Sequence, residues 1–231
     1  MPNVRARMTF LLWTKSAAVK TARIVTACAM LMGCRPAVET PKVHQWDLLD
    51  PRFHTYWEKA NIPEEGNFSI QNKELNLMPG LPMSGCKFTA WGTLGLPSIH
   101  YSIEYEAMRA DGDDIFGMCT FPVSSHQAHA TFVIGGWGGT LTGISSIDFK
   151  DASENSTRAE QRFQNGAWHH VRIEVRAEDL RVWVNHKRVV NVSILGRRVS
   201  LRPGYIDHCL PFGFATWNTT GKIRHVQIRK L

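Results

Sequence analysis

Two glutamates, Glu104 and Glu106, stand two residues apart in the stretch Ser98–Arg109, where Ile99, Tyr101, Ile103 and Tyr105 alternate with His100, Ser102, Glu104 and Glu106. Alternation of period two is the mark of a strand with one face on a core and the other in water, so both carboxylates project from one face. A pair of carboxylates flanking a sugar is the machinery of glycoside hydrolysis, one serving as acid and the other as nucleophile or base. Glu104 and Glu106 are therefore catalytic candidates, with Asp148 as a third. Solvated carboxylates on an exposed strand face explain the same pattern without any chemistry.

A different chemistry is written into Gly135-Gly136-Trp137-Gly138-Gly139. Glycines on both sides of one tryptophan allow positive φ and leave the indole prominent. Asp148, Asp151, Glu154 and Asn155 follow within a few residues. An aromatic plate for the apolar face of a sugar, with carboxylate and amide groups for its hydroxyls, is what a saccharide site requires. Trp137, Asp148, Asp151, Glu154, Asn155 and Trp217 are the ligand-binding candidates. The competing reading buries Trp137 at a tight glycine crossing and leaves the acids to solvate a loop.

Asp111, Asp113 and Asp114 supply the hard oxygen donors that Ca²⁺ takes, which makes calcium the one cofactor the residues suggest. A plain Asp-Gly hairpin turn accounts for them equally well. His126 and His129 lie within reach of one Zn²⁺, but no third ligand follows at suitable spacing. The sequence contains no G-x-S-x-G elbow and no phosphate-binding P-loop, so serine-hydrolase and nucleotide chemistry find no support.

The elements that must position these groups are short strands. In Phe163–Val192, Val171, Ile173 and Val175 alternate with polar residues, and after Ala177-Glu178-Asp179 so do Leu180, Val182 and Val184. This predicts a hairpin whose register is tightly specified, because a one-residue slip would carry arginines into the core. Gly66–Ile70 with Leu75–Leu77 predicts a second, smaller hairpin. Lys87–Trp91, Ile115–Val123, Ala130–Ile134, Ile194–Leu201, Phe212–Trp217 and Arg224–Arg229 read as further strands, and Phe53–Trp57 as either a helical turn or a strand. Helical periodicity is missing throughout, and frequent turn signals between short strands argue for a two-sheet sandwich.

The formal charge of +7 belongs mostly to the front of the chain. Arg5, Arg7, Lys15, Lys20 and Arg23 precede Cys34 without a single acid among them. The remainder is nearly balanced, so nucleic acid is not implied as a partner. The apolar run Ile24–Met32 is too short for a span of about 20 residues and fits the apolar region of a secretory signal. Leu31-Met32-Gly33-Cys34 resembles the bacterial lipobox, which implies lipidation at Cys34 and a membrane-anchored lipoprotein facing the periplasm or exterior. On this reading residues 1–33 are a signal peptide, 34–45 a lipidated tether and 46–231 the folded domain. Cys86, Cys119 and Cys209 allow either one disulfide plus a thiol or three buried small side chains.

The pattern F-x-x-G-x-W-H-x-V-R-I-x-V followed by L-x-V-x-V-N resembles the laminin G-like and concanavalin A-like jelly rolls. Within them, Phe121-Pro122-Val123, the Gly135–Gly139 run, Gly143–Asp148 and Phe212–Trp217 through to Leu231 are most similar to bacterial domains labelled 3-keto-disaccharide hydrolase. The resemblance covers roughly Trp57–Leu231. It implies an all-β, concanavalin A-like jelly-roll β-sandwich of two antiparallel sheets, which hosts lectins and hydrolases alike. The E-x-D-x-x-E strand of the laminarinase-type glucanases is missing. The expectation is thus a carbohydrate-binding domain with a glycan as partner, the alternative being an enzyme acting on oxidised sugars.

Overall fold

Alternating apolar residues have to be buried by a second layer, and in the computed structural model of the chain that layer is another sheet. The structure describes residues 45–124 and 128–231; the leader, Cys34 and the tether up to residue 44, as well as His126 of the His126–His129 pair, lie outside them, while Gln45, expected as the last tether residue, opens the first strand. The strands are β1 (Gln45–Asp47), β2 (Trp57–Lys59), β3 (Phe68–Gln71), β4 (Glu74–Leu77), β5 (Met83–Phe88), β6 (Tyr101–Asp111), β7 (Met118–Pro122) and β8 (His129–Gly135). They continue as β9 (Leu141–Ser145), β10 (Ala159–Glu160), β11 (Trp168–Val175), β12 (Asp179–Val184), β13 (Lys187–Ser193), β14 (Gly213–Trp217) and β15 (Thr220–Lys230).

One antiparallel sheet runs β13-β12-β11-β6-β15-β4-β3, with β1 also paired to β15. The other runs β10-β9-β8-β7-β14-β5-β2. Together they form the concanavalin A-like sandwich. The register of the central hairpin places Val171 opposite Val184 and Ile173 opposite Val182, and across β6 it places Ile173 opposite Ile103. These side chains and Tyr101, Tyr105, Phe121, Phe132 and Phe214 are fully buried between the sheets. Each such aliphatic or aromatic side chain contributes about 1.5–3 kcal/mol on leaving water. Both tyrosines are core residues whose hydroxyls are satisfied. Tyr101 donates to Pro122 O at 2.5 Å and Tyr105 to Gly117 O at 3.0 Å.

One open expectation resolves and two shift. Phe53 falls in a 3-10 turn, Pro51–Tyr56, with Asp50 accepting from Arg52 N at its start, and a strand begins only at Trp57. The strand expected at Lys87–Trp91 is centred earlier, on Met83–Phe88. Ile194–Leu201 forms no strand; it makes one bridge, Ile147 to Val199. The alternation there is broken by Gly196 at φ +69° and by Leu195, which points into water.

The missing strand matters, because the segment that follows it covers the outside of the second sheet. Ile206 and Cys209, from the 3-10 turn Tyr205–Cys209, pack on Met83, Met118, Val133 and Ala215 in a smaller apolar cluster. Cys86, Cys119 and Cys209 are buried free thiols, so they serve as small apolar side chains. Burial pushes the Cys209 thiol up to about 12, helped by the negative charges of Glu65 and Asp207.

Candidate functional site

The outer face of the second sheet is built in bands. Thr120 lies opposite Thr131 on β7 and β8, and Thr131 lies opposite Ser145 on β8 and β9, which lines up hydroxyls across three strands. Thr120 and Thr131 share a hydrogen bond of 3.0 Å. Ser145 Oγ, in contrast, is buried with no hydrogen-bond partner. Such an atom costs free energy unless something else satisfies it. Beside this band run Ala215, Met118 and Val133, with Ala215 opposite Met118 and Val133 opposite Gly143.

Above these rows lies a cavity of about 520 Å³. Its floor is Met118, Thr131, Val133 and Ser145, and its mouth carries Trp137, Trp217 and Tyr205. Asp114 and Arg202 provide the charged groups of its wall. The three aromatic residues are exposed, at 44% for Trp137, 38% for Trp217 and 47% for Tyr205. A mostly apolar hollow with a few placed polar groups is the usual form of a small-molecule or sugar site.

The glycine run is what presents Trp137. The indole residue itself sits at φ +51°, between Gly135 at +71° and Gly138 at +81°. At Gly135 a Cβ would meet the Phe116 ring at 2.6 Å, and at Gly139 it would meet Asp113 O at 2.5 Å. No other residue fits this turn without displacing its neighbours. Asp114 fastens it: its carboxylate accepts from Ile115 N at 2.9 Å and from Gly138 N at 3.2 Å. Arg109 supports the turn from below, nearly buried, donating to Asn165 Oδ1 and to Phe163 O at 2.6 Å each. Burial lowers its pKa, while Asp113 and Asp114 counteract that loss.

The predicted ligand residues divide into two groups. Trp137 and Trp217 both reach the cavity. Asp151 acts on it indirectly, since its carboxylate lies 3.4 Å from Arg202, whose guanidinium is 5.8 Å above the Trp137 ring. Asn155 is not available to a ligand. Its amide donates to the carbonyls of Ile144, Lys150 and Asp151, and its Oδ1 accepts from Thr157 N and Oγ1. It is the internal tie of the loop. Glu154 is exposed beside it and does not line the cavity. Asp148 lies at the tip of a neighbouring turn, paired with Arg197 at 2.8 Å, and the Arg197 hydrogen bond holds its carboxyl below the usual range.

The catalytic candidates are not brought to the cavity. Glu104 and Glu106 lie on the solvent face of the first sheet, across the core from the tryptophans. Glu106 is tied to Arg224 and His225; burial opposes its ionisation, but the Arg224 hydrogen bond and charge, with a smaller contribution from His225, prevail and lower its pKa. Glu104 stands 3.8 Å from Arg172 and from His170. A cleft of about 230 Å³ opens there, lined by Glu104, Glu106, His170 and His225. Asp111, Asp113 and Asp114 do not converge either. Among the described residues no group of three His, Cys, Asp or Glu side chains is placed to hold a metal ion. The Asp-rich turn instead anchors the Trp137 loop through Asp114.

Arg202 and Tyr205 carried no usable signal in the sequence, because the segment Arg202–Ile206 has no periodicity. Ser145 was equally hidden, as one of two polar residues, with Thr142, in a strand buried at every position.

Fold and cavity together define a concanavalin A-like sandwich of the kind found in carbohydrate-binding and glycoside-processing domains. Residues 100–229 match the model of the 3-keto-alpha-glucoside-1,2-lyase-like domain, and the chain belongs to that family. Among solved structures it is similar to the carbohydrate-binding module CBM66 from Bacillus subtilis, with a TM-score of 0.50 and 12% identity over 76% of this chain and 96% of that one. It is also similar to the Crh5 transglycosylase in complex with NAG, with a TM-score of 0.52 and 8% identity over 81% of this chain and 83% of that one. A glycosidic hydrolase aligns with a TM-score of 0.50 and 10% identity over 81% and 94% of the two chains. These likenesses speak for the fold alone. No curated protein matches the chain.

Proposed function

We propose that the domain binds a glycan in the cavity on the outer face of its second sheet. The observation that carries this reading is the pairing of exposed indoles, Trp137 and Trp217, over a floor that holds the unsatisfied Ser145 hydroxyl. The aromatic rings offer stacking surfaces to the C–H faces of a sugar. Ser145, Asp114 and Arg202 offer hydrogen bonds to its hydroxyls, which fix orientation. The likeness in fold to a carbohydrate-binding module and to a transglycosylase solved with NAG agrees with that chemistry. Glycan-array screening is the test, followed by Trp137→Ala. Loss of retention with an unchanged melting temperature supports the reading, and unchanged retention removes Trp137 from the site.

A second reading follows from the family itself, whose name describes lyase action on 3-keto-glucosides. It requires an acid and a base converging on one reacting atom. Asp114 is the carboxylate at the cavity wall, and its oxygens already accept two backbone N–H groups. That engagement favours binding over turnover. Incubation with 3-keto-glucosides, with and without EDTA, distinguishes the two.

We further propose that the domain is held at the cell envelope through diacylated Cys34, on the strength of the Leu31–Cys34 sequence. Palmitate labelling that disappears in Cys34→Ala, together with globomycin-sensitive processing, is the expected result. Labelling that persists in Cys34→Ala overturns the anchor.

A further inference from the structure

Asp148 and Phe149 occupy the two central positions of a tight turn between Ile147 and Lys150, closed by backbone hydrogen bonds of 2.9 and 3.0 Å. Both residues have positive φ, +50° and +66°. Turns of this kind favour glycine at the second central position, and a bulky aromatic there is a conformational outlier. Phe149 nevertheless stands 75% exposed. The turn is held firmly. Asp148 pairs with Arg197 at 2.8 Å, accepts from Arg198 N at 3.0 Å and donates its own N–H to Arg198 O at 2.8 Å. The Arg198 guanidinium lies 4.6 Å from the ring centroid.

The same device serves Trp137. That residue also has positive φ, also is exposed, and also carries an arginine guanidinium over its ring, that of Arg202. Arg198 and Arg202 belong to one segment, four residues apart. That segment pairs with the end of β9: Ser146 with Ser200, and Asp148 with Arg198. Hence Ser145 and Arg202, which line the cavity, are continuous with Asp148 and Arg198, which brace Phe149. Four residues of chain reach at most about 13 Å, so the two arginines lie within the length of a short oligosaccharide.

We infer that Phe149, braced by Arg198, is an outer stacking platform of the cavity site, and that the ligand is an extended glycan chain running from Trp137 and Trp217 to Phe149. The inference rests on the reading of the cavity as a glycan site. A rigid, preformed aromatic surface loses little freedom on binding, which is the reason to display one in an unfavourable backbone conformation.

The test is isothermal titration of the full chain with cello-, laminari- and malto-oligosaccharides, each from the monosaccharide to the hexasaccharide. Affinity is expected to rise with length in one series. Phe149→Ala should weaken the longer members about 3- to 10-fold and leave the mono- and disaccharide unchanged. Phe149→Tyr should restore the longer-chain affinity, which a merely structural role would not require. Phe149→Gly, relieved of the positive-φ constraint, should fold at least as well as the wild type and bind like the alanine variant. If Phe149→Ala leaves every chain length unaffected while Trp137→Ala loses binding, the outer platform is overturned and the cavity reading stands. If the wild type binds no member of any series, both fall. If Phe149→Ala instead abolishes sedimentation with phosphatidylcholine–phosphatidylglycerol vesicles and spares oligosaccharide binding, the residue contacts lipid and the inference is overturned.

Discussion

The guanidinium of Arg202 lies 5.8 Å over the Trp137 ring while its Nη1 stands 3.4 Å from the Asp151 carboxylate. One side chain therefore joins the segment outside the second sheet, the glycine turn and the acidic loop. A cation above an indole is attracted by the ring quadrupole, by about 0.5–1 kcal/mol at exposed sites. Removing it in Arg202→Ala frees both the indole and the cavity wall. Glycan affinity is expected to fall about 2- to 5-fold from the freed indole alone, and further where the guanidinium also donates to a sugar hydroxyl. Arg202→Lys should restore charge without restoring the planar stack, and titration calorimetry compares the two.

Ser145 gives the opposite balance between stability and binding. Its hydroxyl is buried and unsatisfied in the free protein. Ser145→Ala should leave the melting temperature unchanged or slightly raised, because an unpaired polar atom is removed. Glycan affinity should fall about 2- to 12-fold, the worth of one ordinary hydrogen bond. A loss of stability with unaltered binding would show that the hydroxyl serves the fold.

Asn155 should behave in reverse. Asn155→Ala strips the loop of the hydrogen bonds to Ile144, Lys150, Asp151 and Thr157 and leaves buried groups unpaired. A destabilisation of about 2–4 kcal/mol in urea is expected. Any change in glycan affinity should vanish at temperatures well below the transition.

The buried His169 makes stability depend on pH. Burial lowers its pKa from the ordinary 6.5, a backbone contact at Gln164 partly restores it, and the Arg109 charge lowers it again. The unfolded chain therefore takes up a proton that the folded state resists. Stability is full above about pH 6.5 and declines as the pH falls from there toward the folded value. Melting curves of the wild type should show that decline, and His169→Gln should flatten it.

The three thiols offer a check on the core. Burial raises the Cys86 and Cys119 thiols well above the ordinary range and takes Cys209 to about 12. Iodoacetamide should leave these cysteines unlabelled in the native protein at pH 8 and label all of them in denaturant, as peptide mass spectrometry would show. Native labelling of Cys209 would mean that the turn Tyr205–Cys209 opens.

Period-two alternation made the sandwich legible, because a half-buried strand has to place every second side chain in the core. Thus Val171 to Val184 and Tyr101 to Tyr105 announced their faces and their register. The glycine run marked a tight left-handed turn around Trp137 for a comparable reason, since glycine takes positive φ at no steric cost, but it left open whether the indole faces water or the core. What the sequence left open was which groups share a surface. Glu104 and Glu106 share one strand face, as two cooperating carboxylates would, yet their strand presents them on the sheet opposite the tryptophans. Asn155 has the chemistry of a sugar ligand but spends it on its own loop. Arg202, Tyr205 and Ser145 have no local pattern, and they meet only because the segment Arg202–Ile206 folds back over β7, β8 and β9. Local alternation encodes burial, a property of each residue and its near neighbours; the cavity depends on contacts between distant segments, which only the packed sheets decide.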